Sequence, residues 1–311
     1  MATGKSLSIL LSVVLAATFA QPAFAQLKEK QTKRAAIVFM VAGQSNAGGC
    51  GVFGQKEEER PVWGKDRDFP RGSTADAVGL PTNAADYTHS YIWMPDAGFE
   101  RFDPWVNTRP PKRDARVHGM ELPVLHELEE RFPDNDLYVI KYGPSGRNLY
   151  KDWNPEQENS HYALWLDWCN RGMTQLNKEY PEVRVVGMYW DQGESDKKKA
   201  DEYHANLKNF IAVFRKDSGI PDLKVFVRKH IYDFQNVEVL ADAQKRVCDE
   251  DKQCYLLDID LGDPAKNFET WSYQPNNIHL SSKGFAELTR QLFEKILDDA
   301  TVDSFSLYSP R

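Results

Sequence analysis

Five short apolar runs punctuate the chain, at Ala36–Ala42, Leu137–Tyr142, Val183–Trp190, Leu223–Arg228 and Cys254–Ile259. Their length and their mix of β-branched and large apolar residues fit strands buried on both faces. Between most of them, apolar residues recur at helical spacing. Leu122, Leu125, Leu128 and Phe132 form one such stripe, and Tyr203, Leu207, Phe210, Ile211 and Phe214 another. A further helix is predicted over His161–Tyr180, and the final one starts after Ser281-Ser282 with Phe285, Leu288, Leu292 and Ile296 on one face. Strands that alternate with helices predict repeated βαβ units, hence an α/β domain with a parallel sheet of about five strands.

Residues 50–118 break this rhythm. They are rich in Gly, Pro, Asp and Arg and carry Trp63, Tyr87, Tyr91, Trp93, Phe99, Phe102 and Trp105. The segment reads as an aromatic-rich loop insertion. It begins next to the carboxyl end of the first strand, where open α/β sheets bind ligands. Most of its aromatics are expected to form a satellite core, and the others are placed to stack on sugar faces. No internal repeat is visible.

Lys5, the apolar stretch Leu7–Phe19 and the small-residue pattern Ala23-Phe24-Ala25 have the layout of a secretory signal, which predicts a signal peptide over residues 1–25. The mature chain, residues 26–311, is long enough for a single packed domain, and no later stretch is apolar enough to span a bilayer. The expected location is secreted or periplasmic. A formal net charge of -7 with no basic block argues against nucleic acid as a partner. Cys248 and Cys254 are close enough in sequence for a local disulfide after export, whereas Cys50 and Cys169 have no near partner. CxxC pairs and HExxH are absent, so neither a metal nor another cofactor is expected.

The chemistry concentrates at strand ends. The first strand runs directly into Gly43-Gln44-Ser45-Asn46-Ala47-Gly48-Gly49, a small-residue turn that can present a serine hydroxyl to a carbonyl. Gly143-Pro144-Ser145-Gly146-Arg147-Asn148 follows the second strand, Gln192-Gly193-Glu194-Ser195-Asp196 follows the third, and Asn276-Asn277-Ile278-His279 precedes the last helix. In a doubly wound sheet these positions converge on one rim.

GQSNA after a first strand, a glycine segment leading to Trp153, WxQGESD, and a late His before a helix occur in one order. Together they make the chain resemble the SGNH/GDSL hydrolases, and within them the sialate O-acetylesterase-like and acetylxylan esterase group. The resemblance spans essentially the whole mature chain. It implies a three-layer, flavodoxin-like sheet and a serine esterase, most naturally one that deacetylates carbohydrates through an acyl-enzyme. It also implies Ser45 as nucleophile, His279 as general base, and an oxyanion hole of the Ser45 and Gly146 N–H groups with the Gln192 amide. Such donors stabilise the charge that develops on the carbonyl oxygen, each worth about 3 kcal/mol. Asn46, Arg147, Trp153 and His118 are candidate substrate contacts.

One departure stands out. The superfamily usually places an Asp three residues before this His, and the residue here is Asn276. Glu194 is the first candidate for the missing carboxylate, with Asp196, Asp258 and Asp260 as alternatives. A chain lacking such a carboxylate would work as a dyad, or would survive as a carbohydrate-binding accessory protein. A short-chain or aryl esterase is a further alternative.

Overall fold

The computed structural model describes residues 35–54, 56, 73–113, 116–230, 235–259, 278–296 and 301–310. The signal segment 1–25, Trp63, Asp260 and Asn276 lie outside the described residues.

Among the described residues the sheet has eight strands: β1 (Ala36–Gly43), β2 (Ser90–Met94), β3 (Gly98–Arg101), β4 (Asp136–Tyr142), β5 (Val183–Asp191), β6 (Val225–Arg228), β7 (Cys254–Leu257) and β8 (Ser306–Leu307). Their order is β3-β2-β4-β1-β5-β6-β7, with β8 paired to β5. All pairings are parallel except β2 with β3 and β5 with β8. The helices are α1 (Ser45–Gly48), α2 (Glu121–Arg131), α3 (His161–Glu179), α4 (Tyr203–Ser218), α5 (Val237–Glu250) and α6 (Ser282–Ile296).

Strand β1 shows why the sequence takes three layers. All eight of its residues are buried, and they alternate between two cores. Ala36, Val38, Met40 and Ala42 face a core shared with α3, α4 and α5, whereas Ile37, Phe39 and Val41 face one shared with α2 and α6. A strand covered on both sides needs no polar alternation, which is what makes it read as a continuous apolar run.

All five predicted strands are present, but the sheet is larger than about five. The insertion at 50–118 is not all loop: it contributes β2 and β3, an antiparallel hairpin whose first strand joins β4 in parallel. Its described aromatics pack inward but join the two main cores instead of forming a satellite one, with Tyr87 edge-on to Phe102 at 4.8 Å and Phe53 against Trp105 at 4.4 Å. Buried Lys141 fastens this region and α2 to the sheet. Lys141 Nζ on β4 donates to Glu121 Oε2 at 2.5 Å and to Thr108 O at 2.6 Å. Helix α5 adds an element beyond the predicted ones, with Leu240, Ala243 and Val247 making one buried stripe.

The Sγ atoms of Cys248, near the end of α5, and Cys254, at the start of β7, lie 2.8 Å apart. Treatment with oxidised glutathione is therefore expected to join them. The closed loop is short, so the gain is about 2 kcal/mol. Thiol labelling with mass spectrometry should find both cysteines protected and the thermal midpoint raised. Continued labelling of both after oxidation would reject the bond.

Candidate active site

Strand β1 ends at Gly43, whose φ of +144° and closeness to β5 leave no room for a side chain: a Cβ there would lie 2.1 Å from Asp191 O. The chain turns at this point, Gln44 N donates to Asp191 O at 2.8 Å, and half-buried Ser45 opens α1. The loop after β4 presses on the same turn. Gly48 and Gly143 meet backbone to backbone, a Cβ on Gly143 falling 2.0 Å from Gly48 N. Since β4 and β5 are the immediate neighbours of β1, three of the four segments share one rim. The fourth arrives from the start of α6, where His279 Nε2 lies 3.2 Å from Ser45 Oγ.

Burial pushes His279 below the ordinary histidine pKa, while the charge of Glu194 works in the opposite direction and that of Arg109 adds to the depression. The neighbouring thiol of Cys50 contacts Ser45 O at 3.3 Å, and burial pushes its pKa up to about 12, so it stays protonated at neutral pH.

The carboxylate of Glu194 is not bonded to His279. It accepts from Gln44 Nε2, from Arg228 Nη2 at 3.1 Å and from His230 Nε2 at 2.9 Å. Burial works against its ionisation, but His230 and Arg228 prevail and hold the carboxyl well below the usual carboxylate range. Fully buried Arg228 also donates through Nε to Asp191 Oδ2 at 2.7 Å, which takes a further bond from Tyr189 OH at 2.6 Å. Gln244 brackets His230, its Nε2 lying 2.7 Å from the ring Nδ1 and its Oε1 accepting from His230 N at 3.0 Å. Asp191, Glu194 and His230 would make a plausible ligand set for a cation, but the Arg228 guanidinium already supplies the positive charge among them. This network was missed. Its one sequence signal is Arg228 at the end of the apolar run Val225-Phe226-Val227, a charge that needs buried partners.

Two of the alternative acids, Asp196 and Asp258, are occupied elsewhere. Buried Asp196 accepts from Leu149 N at 2.8 Å, Tyr150 N at 3.2 Å and Gln192 Nε2 at 2.5 Å, whereas exposed Asp258 pairs with Lys229 at 2.7 Å.

Several expected contacts need correction. Gln192 is fully buried, and its amide nitrogen is spent on Asp196 and on Arg147 O at 3.0 Å, so it braces the loop after β4 rather than facing an oxyanion. Trp153 is fully buried against Tyr142, Trp190 and Phe210, which closes it to substrate. His118 is likewise enclosed, bonded to Gly119 O at 3.1 Å and Ser282 Oγ at 2.7 Å, and burial depresses its pKa to about 3. Asn46 is buried too, with its amide engaged by the His279 segment. Arg147 is exposed, as substrate contact requires. Gly146 is exposed with a φ of +70°, and this left-handed backbone, rather than crowding, is what calls for glycine there.

Arg109 was not anticipated. Its Nη2 donates to Ser145 Oγ at 3.3 Å, and it lies near enough to His279 and Cys50 to influence both.

A serine and a histidine meet at the carboxyl rim of a largely parallel sheet, the serine directly after the central strand. The chain is a member of the carbohydrate esterase, sialic acid-specific acetylesterase family, which it matches over residues 35–298. It is thus a carboxylic ester hydrolase. A crystal structure of a protein from Arabidopsis thaliana shares the fold at a TM-score of 0.58 and 16% identity, covering 84% of this chain and 98% of the other. The crystal structure of NanS superposes at a TM-score of 0.53 and 13% identity, covering 85% of this chain and 98% of that one. No curated protein sequence matches the chain. Among the described residues, no helix is long and apolar enough to cross a membrane.

Proposed function

We propose that the protein is an exported serine O-acetylesterase that removes acetyl groups from carbohydrate hydroxyls. The observation that carries this reading is the 3.2 Å approach of His279 Nε2 to Ser45 Oγ in a chain of a carbohydrate esterase family. His279 takes the hydroxyl proton as Ser45 Oγ attacks the acetyl carbonyl. The Ser45 and Gly146 N–H groups stabilise the oxyanion. Collapse of the tetrahedral intermediate breaks the bond to the sugar oxygen, which leaves with the proton from His279. Water then attacks the acetyl-serine with His279 again as base, releasing acetate and restoring the serine.

Glu194 acts in this reading through its charge and through Gln44, one residue before the nucleophile, and not as a hydrogen-bonded partner of the imidazole. Gln192 and Asp196 hold the loop that carries Gly146. Export is supported by the signal-like pattern of residues 1–25.

The test is acetate release from O-acetylated sialic acid, acetylated xylo-oligosaccharides and 4-nitrophenyl esters of increasing acyl length, with N-terminal sequencing of the exported protein. Turnover of acetylated sugars, a steep loss beyond acetyl and a start at Gln26 are expected. Preference for long acyl chains would overturn the acetyl and sugar assignment, and retention of the first 25 residues would overturn export.

The pH profile separates the two roles open to Glu194. Only neutral His279 accepts the serine proton, so the acid limb of kcat/KM should fall below pH 6.5, the ordinary histidine value. Glu194→Gln removes a charge that raises the His279 pKa, so it should move that limb to still lower pH while kcat stays within roughly tenfold of the parent. A triad acid lost in this way costs roughly 10⁴ in kcat. A loss of that size would return Glu194 to direct partnership with His279.

A further inference from the structure

Asn46 follows the nucleophile directly and is fully buried. Its Nδ2 donates to Ile278 O at 3.1 Å and its Oδ1 accepts from Leu280 N at 2.9 Å. One side chain thus grips the main chain immediately before and immediately after His279. We propose that Asn46 is a positioning residue that sets the His279 imidazole against Ser45, an inference that rests on the serine esterase reading.

The chemistry of the side chain fits the task. A carboxamide offers a donor and an acceptor at one end, as this pair of backbone groups demands. Aspartate keeps the acceptor but turns an oxygen toward Ile278 O, and alanine provides neither group. The reach of the clamp matters as well. Ser45 and His279 are separated by 234 positions in the chain, yet Asn46 shares a peptide bond with the first and bonds both peptide neighbours of the second. The distance between nucleophile and base is therefore fixed through a single rigid residue, not through the whole sheet. Leu280, fully buried, anchors the same segment on its far side.

The experiment compares Asn46→Ala and Asn46→Asp with the parent enzyme on an acetylated sugar and on 4-nitrophenyl acetate, alongside inactivation by a fluorophosphonate. Misplacement of a catalytic group by about 1 Å costs roughly 10²-fold. A drop of that order in kcat with KM within about twofold is expected. In kcat/KM the loss should be larger on the sugar ester, because nitrophenolate departs without a proton and a sugar alkoxide does not. The fluorophosphonate should still label every active site, only more slowly.

A residue that merely holds the fold together behaves differently: fewer sites would label, those at the parental rate, and both substrates would lose equally. That pattern overturns the proposal. Where neither variant folds, hydrogen exchange on the parent protein decides. The Asn46 side-chain amide and the Leu280 amide should be protected, and rapid exchange of both overturns the clamp. Ser45→Ala serves as the control: if it retains turnover the esterase reading fails, whereas an inactive Ser45→Ala beside near-parental Asn46 variants rejects the clamp alone.

Discussion

Replacing Ser45 by alanine is expected to cut kcat for acetate release by about 10⁴- to 10⁶-fold while leaving sugar binding and the thermal midpoint nearly unchanged. The serine is half-buried at the start of a four-residue helix, so loss of its hydroxyl creates little cavity and breaks no core contact. What disappears is the atom that attacks. His279→Ala should match the loss, because a nucleophile without its base and a base without its nucleophile are equally inert. The double variant is accordingly expected to be no worse than either single one. Acetate release by all four forms, with binding of the intact acetylated sugar measured by calorimetry, tests this. If either single variant keeps more than about one per cent of parental kcat, the pair does not work as a unit.

Arg228→Met should produce the largest loss of stability. The guanidinium is fully buried between Asp191 and Glu194, at 2.7 Å and 3.1 Å. Methionine fills much of the volume but leaves two carboxylates without their cation. Removing one partner of a buried ion pair costs about 3–5 kcal/mol, on the order of 10 °C in thermal midpoint for a chain of this size. Adding Asp191→Asn and Glu194→Gln should restore much of it, since no uncompensated charge then remains.

The pH dependence provides a second check. The Glu194 pKa is depressed in the folded state, so its contribution to stability is complete above its unfolded value, near 4.3, and is lost as the pH falls through the lower folded value. The parent should therefore lose stability below about pH 4, and Arg228→Met should show a weaker acid dependence in that range. Melting curves across pH 2–7 decide. An Arg228→Met protein as stable as the parent would show that the network contributes little.

How much of this was legible depended on burial and locality. The five central strands stand out because each is apolar on both faces, and the rim positions of Ser45, Gly146 and His279 follow from where those strands end. Strand β3 did not stand out, because Gly98, Phe99 and Glu100 are only partly buried and carry no sustained alternation, and β2 is only five residues long, set between turns. The polar network was hidden for a different reason. Asp191 and Arg228 end two strands, His230 lies just past the second and Gln244 sits inside α5, and polar residues so scattered resemble ordinary surface residues until the fold sets them side by side. Asn46 was harder still to read, since both its partners are backbone groups, which leave no mark in a sequence. For Gln192 and Trp153 the motif order was recognised, but the side chains face into the protein instead of toward the rim.

Strand β1 lies at the middle of the sheet, yet it leads the described chain. Its neighbours β4 and β5 are made about one hundred and one hundred and fifty residues later, and the base paired with its serine later still. On the roles proposed for Ser45 and His279, the emerging chain therefore holds its nucleophile without a base until the segment before α6 has been made. Contacts so distant in sequence close slowly. Under those roles an ester hydrolase is chemically silent while it is being made, and a chain cut short anywhere before His279 is expected to yield no partially active fragment.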